Sequence, residues 1–333
     1  MTVSPAFVVL TVLALSFAFL DGFHNSANIV ATVIASRAMR PRQALLVAAV
    51  AEFIGPFLFG TAVAKTIGVD LVEPAAVTVA VVSAAVLAAI FWKLITWYPG
   101  LPSSSSHSLF GGLIGAVLIS SGISALRAEG MITIILALLL SPILGLIGGY
   151  LVMTLTLILT RSSKPSINLF FKRGQLFTSV ALALSHGSNN AQKTMGLLVL
   201  GLISTGMLGS FSTPTWIIAS SAGALALGTA LGGQRIMRTL GAKFYKIRPV
   251  HGFTAQATSA TIILGASLVG GPVSTTQTVS SAIVGVGSAE RLSKVRWKVF
   301  YDIGLAWIFT IPATILMAVA IYFPIAYLLE IIG

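Results

Sequence analysis

The chain has no cysteine, and only 8% of its residues are charged. The first absence excludes a disulfide framework, a thiolate metal site and a cysteine nucleophile. The second says more about architecture. A chain that is 56% hydrophobic has too few charges to clothe a globular surface, so most of its area must face lipid. The polar–apolar alternation of a membrane β-barrel is missing. What is present instead is a series of apolar runs of about 20 or more residues, enough to cross a hydrocarbon core about 30 Å thick as helices. The expected class is an all-α integral membrane protein whose surroundings are the lipid bilayer.

Acidic residues are scarcer than basic ones, eight against twenty, giving a net charge of +12. The basic residues sit in short clusters between apolar runs, the pattern that orients a membrane protein, so nucleic acid is not an expected partner. The first apolar run, Phe7 to Leu20, lacks a basic leader and continues into a polar motif, and it reads as a span, not a signal peptide.

Short polar motifs recur in the same order along the chain. Gly22-Phe23-His24-Asn25 aligns with Gly187-Ser188-Asn189-Asn190 at an offset of 165, and Gly60-Thr61-Ala62 with Gly228-Thr229-Ala230 at 168. Leu101-Pro102-Ser103-Ser104-Ser105-Ser106-His107-Ser108 aligns with Gly271-Pro272-Val273-Ser274-Thr275-Thr276-Gln277-Thr278 at 170. A duplication carrying helix-breaking polar residues at matching places is the sign of a transporter with its substrate site between the two halves.

Ten segments are expected, at 4–37, 43–67, 74–98, 102–122 and 131–160, then 174–205, 214–234, 249–270, 272–289 and 298–329. Residues 1–160 and 174–333 form the two repeats and 161–173 the linker, within one integrated domain. The odd-numbered connections carry Arg37, Arg40, Arg42, Arg161, Lys164, Lys172, Arg173, Arg235, Arg238, Lys243, Lys246, Arg248, Arg291, Lys294, Arg296 and Lys298, sixteen of the twenty basic residues. That side is cytoplasmic, which places both termini outside. Five crossings per half make the repeats inverted. The breaks around Pro99, Gly100 and Pro102, and at Gly270-Gly271-Pro272, suggest half-helices or re-entrant hairpins, tolerated at membrane depth only where protein or a water-filled cavity satisfies the backbone.

Proline, then hydroxyls, then an apolar helical run describes a helix N-terminus whose free N–H groups and positive dipole end can hold an anion. The chain has two such starts, so two pockets can grip one tetrahedral oxyanion. Asn25, Asn28, Asn189, Asn190 and Gln192 set amides in apolar segments, where an unsatisfied polar group costs several kcal/mol. Their oxygens can ligate a hard cation such as Na⁺ and their N–H groups an oxyanion. Asp21, Glu52 and Lys193 are ionisable groups at depth and therefore functional candidates. An ion pair of Lys193 with Glu52 or Asp21 is the structural alternative. The histidines match no zinc spacing. An intramembrane hydrolase built on Ser106-His107 is disfavoured, because adjacent helical residues point about 100° apart.

At these residues the chain resembles the inorganic phosphate transporter (PiT) family over nearly its full length. The matching stretches are Gly22 to Asn28 with Ser36 to Pro41, Gly100 to His107, Ser185 to Lys193, and Pro272 to Thr276. The resemblance implies a symporter that brings inorganic phosphate across the plasma membrane with Na⁺ or H⁺, with no organic cofactor. Phosphate is expected among Asn25, Ser104, Ser105, Ser106, Asn190, Ser274, Thr275 and Thr276. Asn28, Gln192, Glu52 and Asp21 are the candidates for cation binding or coupling, with Asn25, Asn28 and Asn190 as oxygen donors to Na⁺. A second copy of the chain is a candidate partner in a homodimer. Where the family usually carries Asp, this chain has Asn25 and Asn190, which cannot take up a proton. That change leaves sulfate or another oxyanion, or poorly coupled channel-like movement, as alternatives to phosphate symport.

Overall fold

The computed structural model describes residues 4–73, 76–232, 236–237 and 244–332. Among these residues the regular structure is helical apart from one isolated antiparallel bridge, Val72 to Leu126. The first half contains α1 (Pro5–Ala35), α2 (Pro41–Phe59), the short α3 (Ala62–Lys65) running into a π turn (Thr66–Asp70), α4 (Val79–Trp97), α5 (Ser105–Ser121) and α6 (Ala128–Leu159). The second half contains α7 (Ile167–Ser204), α8 (Thr215–Leu231), α9 (Pro249–Leu268), α10 (Thr275–Glu290) and α11 (Trp297–Ile332).

Among the described residues ten helices of 16 residues or more overlap the expected segments, with two differences. The run 43–67 is broken at Gly60, whose φ of +78° ends α2 before α3 begins. Helix α7 starts at Ile167, ahead of the expected 174. The expected ends at Pro74 and at 233–234, and Arg235, Arg238 and Lys243, lie outside the described residues. Helices α1, α2, α4, α6 and α11 are each long and apolar enough to cross a membrane, and α5 and α8 are apolar but shorter.

Local chemistry sets the helix ends. Pro5, Pro41 and Pro249 open their helices, where a missing N–H costs nothing. The Thr78 hydroxyl caps α4 by accepting the Val81 N–H at 3.2 Å. Gly100 and Gly270 follow α4 and α9 with φ of +73° and +78°, a conformation that costs a residue with a Cβ far more than glycine. The chain therefore turns sharply just before each hydroxyl-rich motif.

The halves interleave. α1 packs on α8 and α7 on α2, while α5 packs on α11 and α10 on α6, so each partner in the first half finds its complement in the second. Gly22 of α1 lies directly against the Leu225 backbone, and Gly187 of α7 against the Glu52 backbone. The outward faces of α6 and α11 expose Leu139, Ile143, Leu151, Ile308, Phe309 and Leu316, whereas the polar motifs are buried. This apolar-out distribution is that of a protein solvated by lipid.

The basic connections gather in space. A cavity of about 790 Å³ runs from Ala31 on α1 past Arg37 to Lys246, Arg248 and Arg296. The connections after α3 and α5 are clasped to each other: the Glu73 N–H donates to the Ala125 carbonyl at 2.9 Å and the Arg127 N–H to the Leu71 carbonyl at 3.0 Å. The Arg127 guanidinium adds two bonds to the Glu73 carboxylate, at 2.9 and 3.0 Å, and holds that carboxyl below its usual range.

Candidate functional site: two helix starts face to face

The starts of α5 and α10 meet in the interior. Ser104 caps α5 by accepting the His107 N–H at 3.2 Å, and Ser274 caps α10 by accepting that of Gln277 at 3.3 Å. The caps also touch, with Ser274 Oγ donating to Ser104 Oγ at 2.8 Å. Around them the contacts are reciprocal. Ser106 Oγ donates to the Val273 carbonyl at 3.0 Å, and its counterpart Thr276 Oγ1 to the Ser103 carbonyl at 3.4 Å. His107 Nε2 and Gln277 Nε2 lie 3.4 Å apart. Each of these pairs maps onto itself when the motifs are exchanged at the offset of 170. The first turns of both helices, whose N–H groups have no intrahelical acceptor, thus start side by side in the buried interior.

Two helices bring amides to it. On α1, Asn25 Nδ2 reaches Ser105 Oγ at 3.5 Å, and Asn25 Oδ1 accepts from Thr276 Oγ1 at 3.2 Å and from Asn28 Nδ2 at 3.4 Å. Asn28 Nδ2 also donates to Thr276 Oγ1 at 3.0 Å. On α7, Asn190 Nδ2 reaches Thr275 Oγ1, the counterpart of Ser105, at 3.3 Å. The structure thus brings Asn25, Asn28, Asn190, Ser104, Ser105, Ser106, Ser274, Thr275 and Thr276 into one cluster, each of them nearly inaccessible to solvent.

Charged residues stand behind each amide. Asp21 Oδ1 accepts from Asn25 Nδ2 at 2.6 Å and from Lys93 Nζ at 2.7 Å. In the other half, His186 Nε2 lies 2.8 Å from Asn190 Nδ2, and His186 Nδ1 2.5 Å from Glu52 Oε1. Asp21 is thus in the amide cluster, whereas Glu52 is one residue removed from it. Asp21 Oδ2, Asn28 Oδ1 and Glu52 Oε2 are buried oxygens with no hydrogen-bond partner among the described residues.

Two readings from the sequence change and one holds. Lys193 pairs with neither Glu52 nor Asp21; its ammonium donates to Asn190 Oδ1 at 2.6 Å, because Lys93 and His186 already hold the two carboxylates. Gln192 lies on the far face of α7, with Oε1 accepting the Val63 and Ala64 N–H groups at 2.7 and 3.1 Å and Nε2 donating to the Gly60 carbonyl at 2.8 Å. Its amide anchors the start of α3. Ser106 and His107 form no pair, since Ser106 bonds Val273 and the His107 ring meets Ser104 Oγ at 2.8 Å. Lys93, paired with Asp21 behind the amide cluster, is a residue that sequence reasoning does not single out. Its position inside an apolar run is the available signal, and its partner becomes visible only when α4 is packed on α1.

The model of the phosphate transporter family matches residues 21–318. The chain belongs to the phosphate transporter family. It is 41% identical over 320 residues to a "probable low-affinity inorganic phosphate transporter" of Bacillus subtilis, covering 95% of this chain and 96% of that one. A protein of the same description from Rhizobium meliloti is 40% identical, covering 96% of each chain. A solved structure described as "The sodium-dependent phosphate transporter" superposes with a TM-score of 0.87 at 25% identity, over 98% of this chain and 100% of that one. This membrane protein is therefore a phosphate transporter and not an enzyme.

Proposed function

We propose that this transporter imports inorganic phosphate by symport with Na⁺ or H⁺, binding one phosphate between the facing starts of α5 and α10. The observation that carries the reading is the direct contact of the two N-cap serines, Ser104 and Ser274, at 2.8 Å. A tetrahedral anion entering there replaces hydroxyl–hydroxyl contacts with charge-assisted bonds, which are roughly twice as strong as neutral ones. Its ligands are Asn25, Ser104, Ser105 and Ser106 from one half and Asn190, Ser274, Thr275 and Thr276 from the other, with the first-turn N–H groups and helix dipoles adding positive potential.

The coupling cation is assigned to the first half, where Asp21 Oδ2 and Asn28 Oδ1 are free to ligate it, with Asn25 beside them. The sodium dependence of the solved relative favours Na⁺. Glu52, hydrogen-bonded to His186, is the group left to carry a proton. Residues 1–160 and 174–333 act as inverted repeats with ten spans; the exchange of packing partners between halves supports this reading. The basic cavity is the cytoplasmic vestibule, since Ala31 lies one helical turn from Asn28, and both termini are then outside. Rocking of the interleaved halves exposes the site to each side in turn.

Counterflow of labelled phosphate into proteoliposomes, with Na⁺ and pH varied independently, tests this. Uphill uptake driven by the Na⁺ or proton gradient is expected, and uptake that never exceeds equilibrium would identify a channel. The neutral Asn25 and Asn190 make sulfate the informative competitor. Displacement of label by sulfate at lower concentration than by phosphate would reassign the substrate.

A further inference from the structure

The offset of 165 that aligns Asn25 with Asn190 also aligns Asp21 with His186 and Asn28 with Lys193. Residues at i, i+4 and i+7 share one face of a helix, so both triads point the same way into the cluster. Their middle amides do the same work, Asn25 toward Ser105 and Asn190 toward Thr275. The flanking residues differ. In the first half the triad ends in Asn28, whose Nδ2 donates to Asn25 Oδ1 at 3.4 Å and whose Oδ1 has no hydrogen-bond partner among the described residues, and begins with Asp21, whose Oδ2 is likewise unpartnered. In the second half the triad ends in an ammonium seated on Asn190 Oδ1 at 2.6 Å.

Lys193 is fully buried. Among the described residues its one hydrogen-bond partner is Asn190, and no carboxylate lies within salt-bridge distance of it, since Asp21 pairs with Lys93 and Glu52 with His186. A buried ammonium held by a neutral amide oxygen is a costly arrangement for stability alone. It is the arrangement expected of a ligated cation, with two further N–H donors available to an anion.

We infer that Lys193 is a tethered cation: seated on Asn190, its ammonium supplies the positive charge that a dissolved cation bound by Asp21 and Asn28 supplies in the first half, so the transporter binds Na⁺ in one half only. This rests on the phosphate reading for its meaning, but it concerns the amide oxygens themselves and can be tested apart from transport.

The test exchanges the two triad ends in the full chain. Lys193→Asn gives the second half the residue type found at 28, and Asn28→Lys gives the first half an ammonium. Unfolding temperature is measured for purified protein in NaCl and in choline chloride, and the difference reports Na⁺ bound to the folded state. Sodium is expected to stabilise Lys193→Asn more than the parent, while Lys193→Met, which removes the charge without supplying an oxygen, gains nothing. Asn28→Lys is expected to lose the parent's response. In proteoliposomes, the Na⁺ dependence of phosphate uptake by Lys193→Asn should steepen by about one ion per phosphate. The inference is overturned if Na⁺ stabilises Lys193→Asn no more than the parent or Lys193→Met, or if Asn28→Lys keeps the parent's response. Failure of the parent to take up phosphate would instead remove the substrate reading and leave the stabilisation result standing.

Discussion

Replacing Lys93 by Met tests how the site is held together. Lys93 and Asp21 are each about 1% exposed and lie 2.7 Å apart. Removing one partner of such a pair leaves an uncompensated buried charge, at a cost of about 3–5 kcal/mol. Asp21→Asn leaves the ammonium alone and incurs a penalty of the same kind. The double variant buries no unpaired charge, so its loss falls short of the sum of the single losses by about 3–5 kcal/mol or more. The same carboxyl oxygen that receives Lys93 also orients Asn25, at 2.6 Å, so Lys93→Met should weaken phosphate binding as well as stability. The measurements are SDS-titrated equilibrium unfolding of all four proteins in mixed micelles, followed by circular dichroism, together with phosphate binding to each. Strictly additive losses would refute the reasoning, because Lys93 and Asp21 would then act independently.

Asn25→Asp adds a carboxylate beside the proposed cation donors and should lower the Na⁺ concentration needed for half-maximal uptake; an unchanged Na⁺ response would move the cation elsewhere. The native chain has no cysteine, so Ser104→Cys with Ser274→Cys gives a clean cross-linking pair: oxidation should join the residues and stop uptake, with recovery on reduction. Failure to cross-link would separate the two helix starts. The Arg127–Glu73 clasp makes a pH prediction. Because Glu73 is held below its usual range, its stabilising contribution is complete above that range and is lost as pH falls through the lowered value. The difference in unfolding temperature between the parent and Glu73→Gln should therefore be small, since the pair is exposed, constant near neutrality, and gone in acid. A difference that grows on acidification would contradict the assignment.

Helix positions are legible in the sequence because a span of given length must be apolar and because proline and glycine mark where it ends. Pro102 and Pro272 therefore announce the two helix starts, and the offset of 170 announces that they are equivalent. The pairing of Ser104 with Ser274 follows the same symmetry. Which side chain satisfies which is not legible, because that depends on packing between helices distant in sequence. Gln192 resembles a site amide by its place near Asn190, yet lies on the other face of α7 and closes the break at Gly60. Lys93 stands out in the sequence only as a lysine inside an apolar run, and its partner Asp21 is set by the packing of α4 on α1. The Asn28–Lys193 correspondence lies in the aligned motifs, but its meaning needs the observation that Lys193 has no carboxylate partner among the described residues.

The most direct test of two helix starts closing on one anion is equilibrium binding of labelled phosphate to the purified transporter. One phosphate per chain is expected. Ser105→Ala and Thr275→Ala, one from each half, should each weaken it by about tenfold or more, as for loss of a hydrogen bond to a charged group. Two phosphates per chain, or an affinity unchanged by either substitution, would contradict the account.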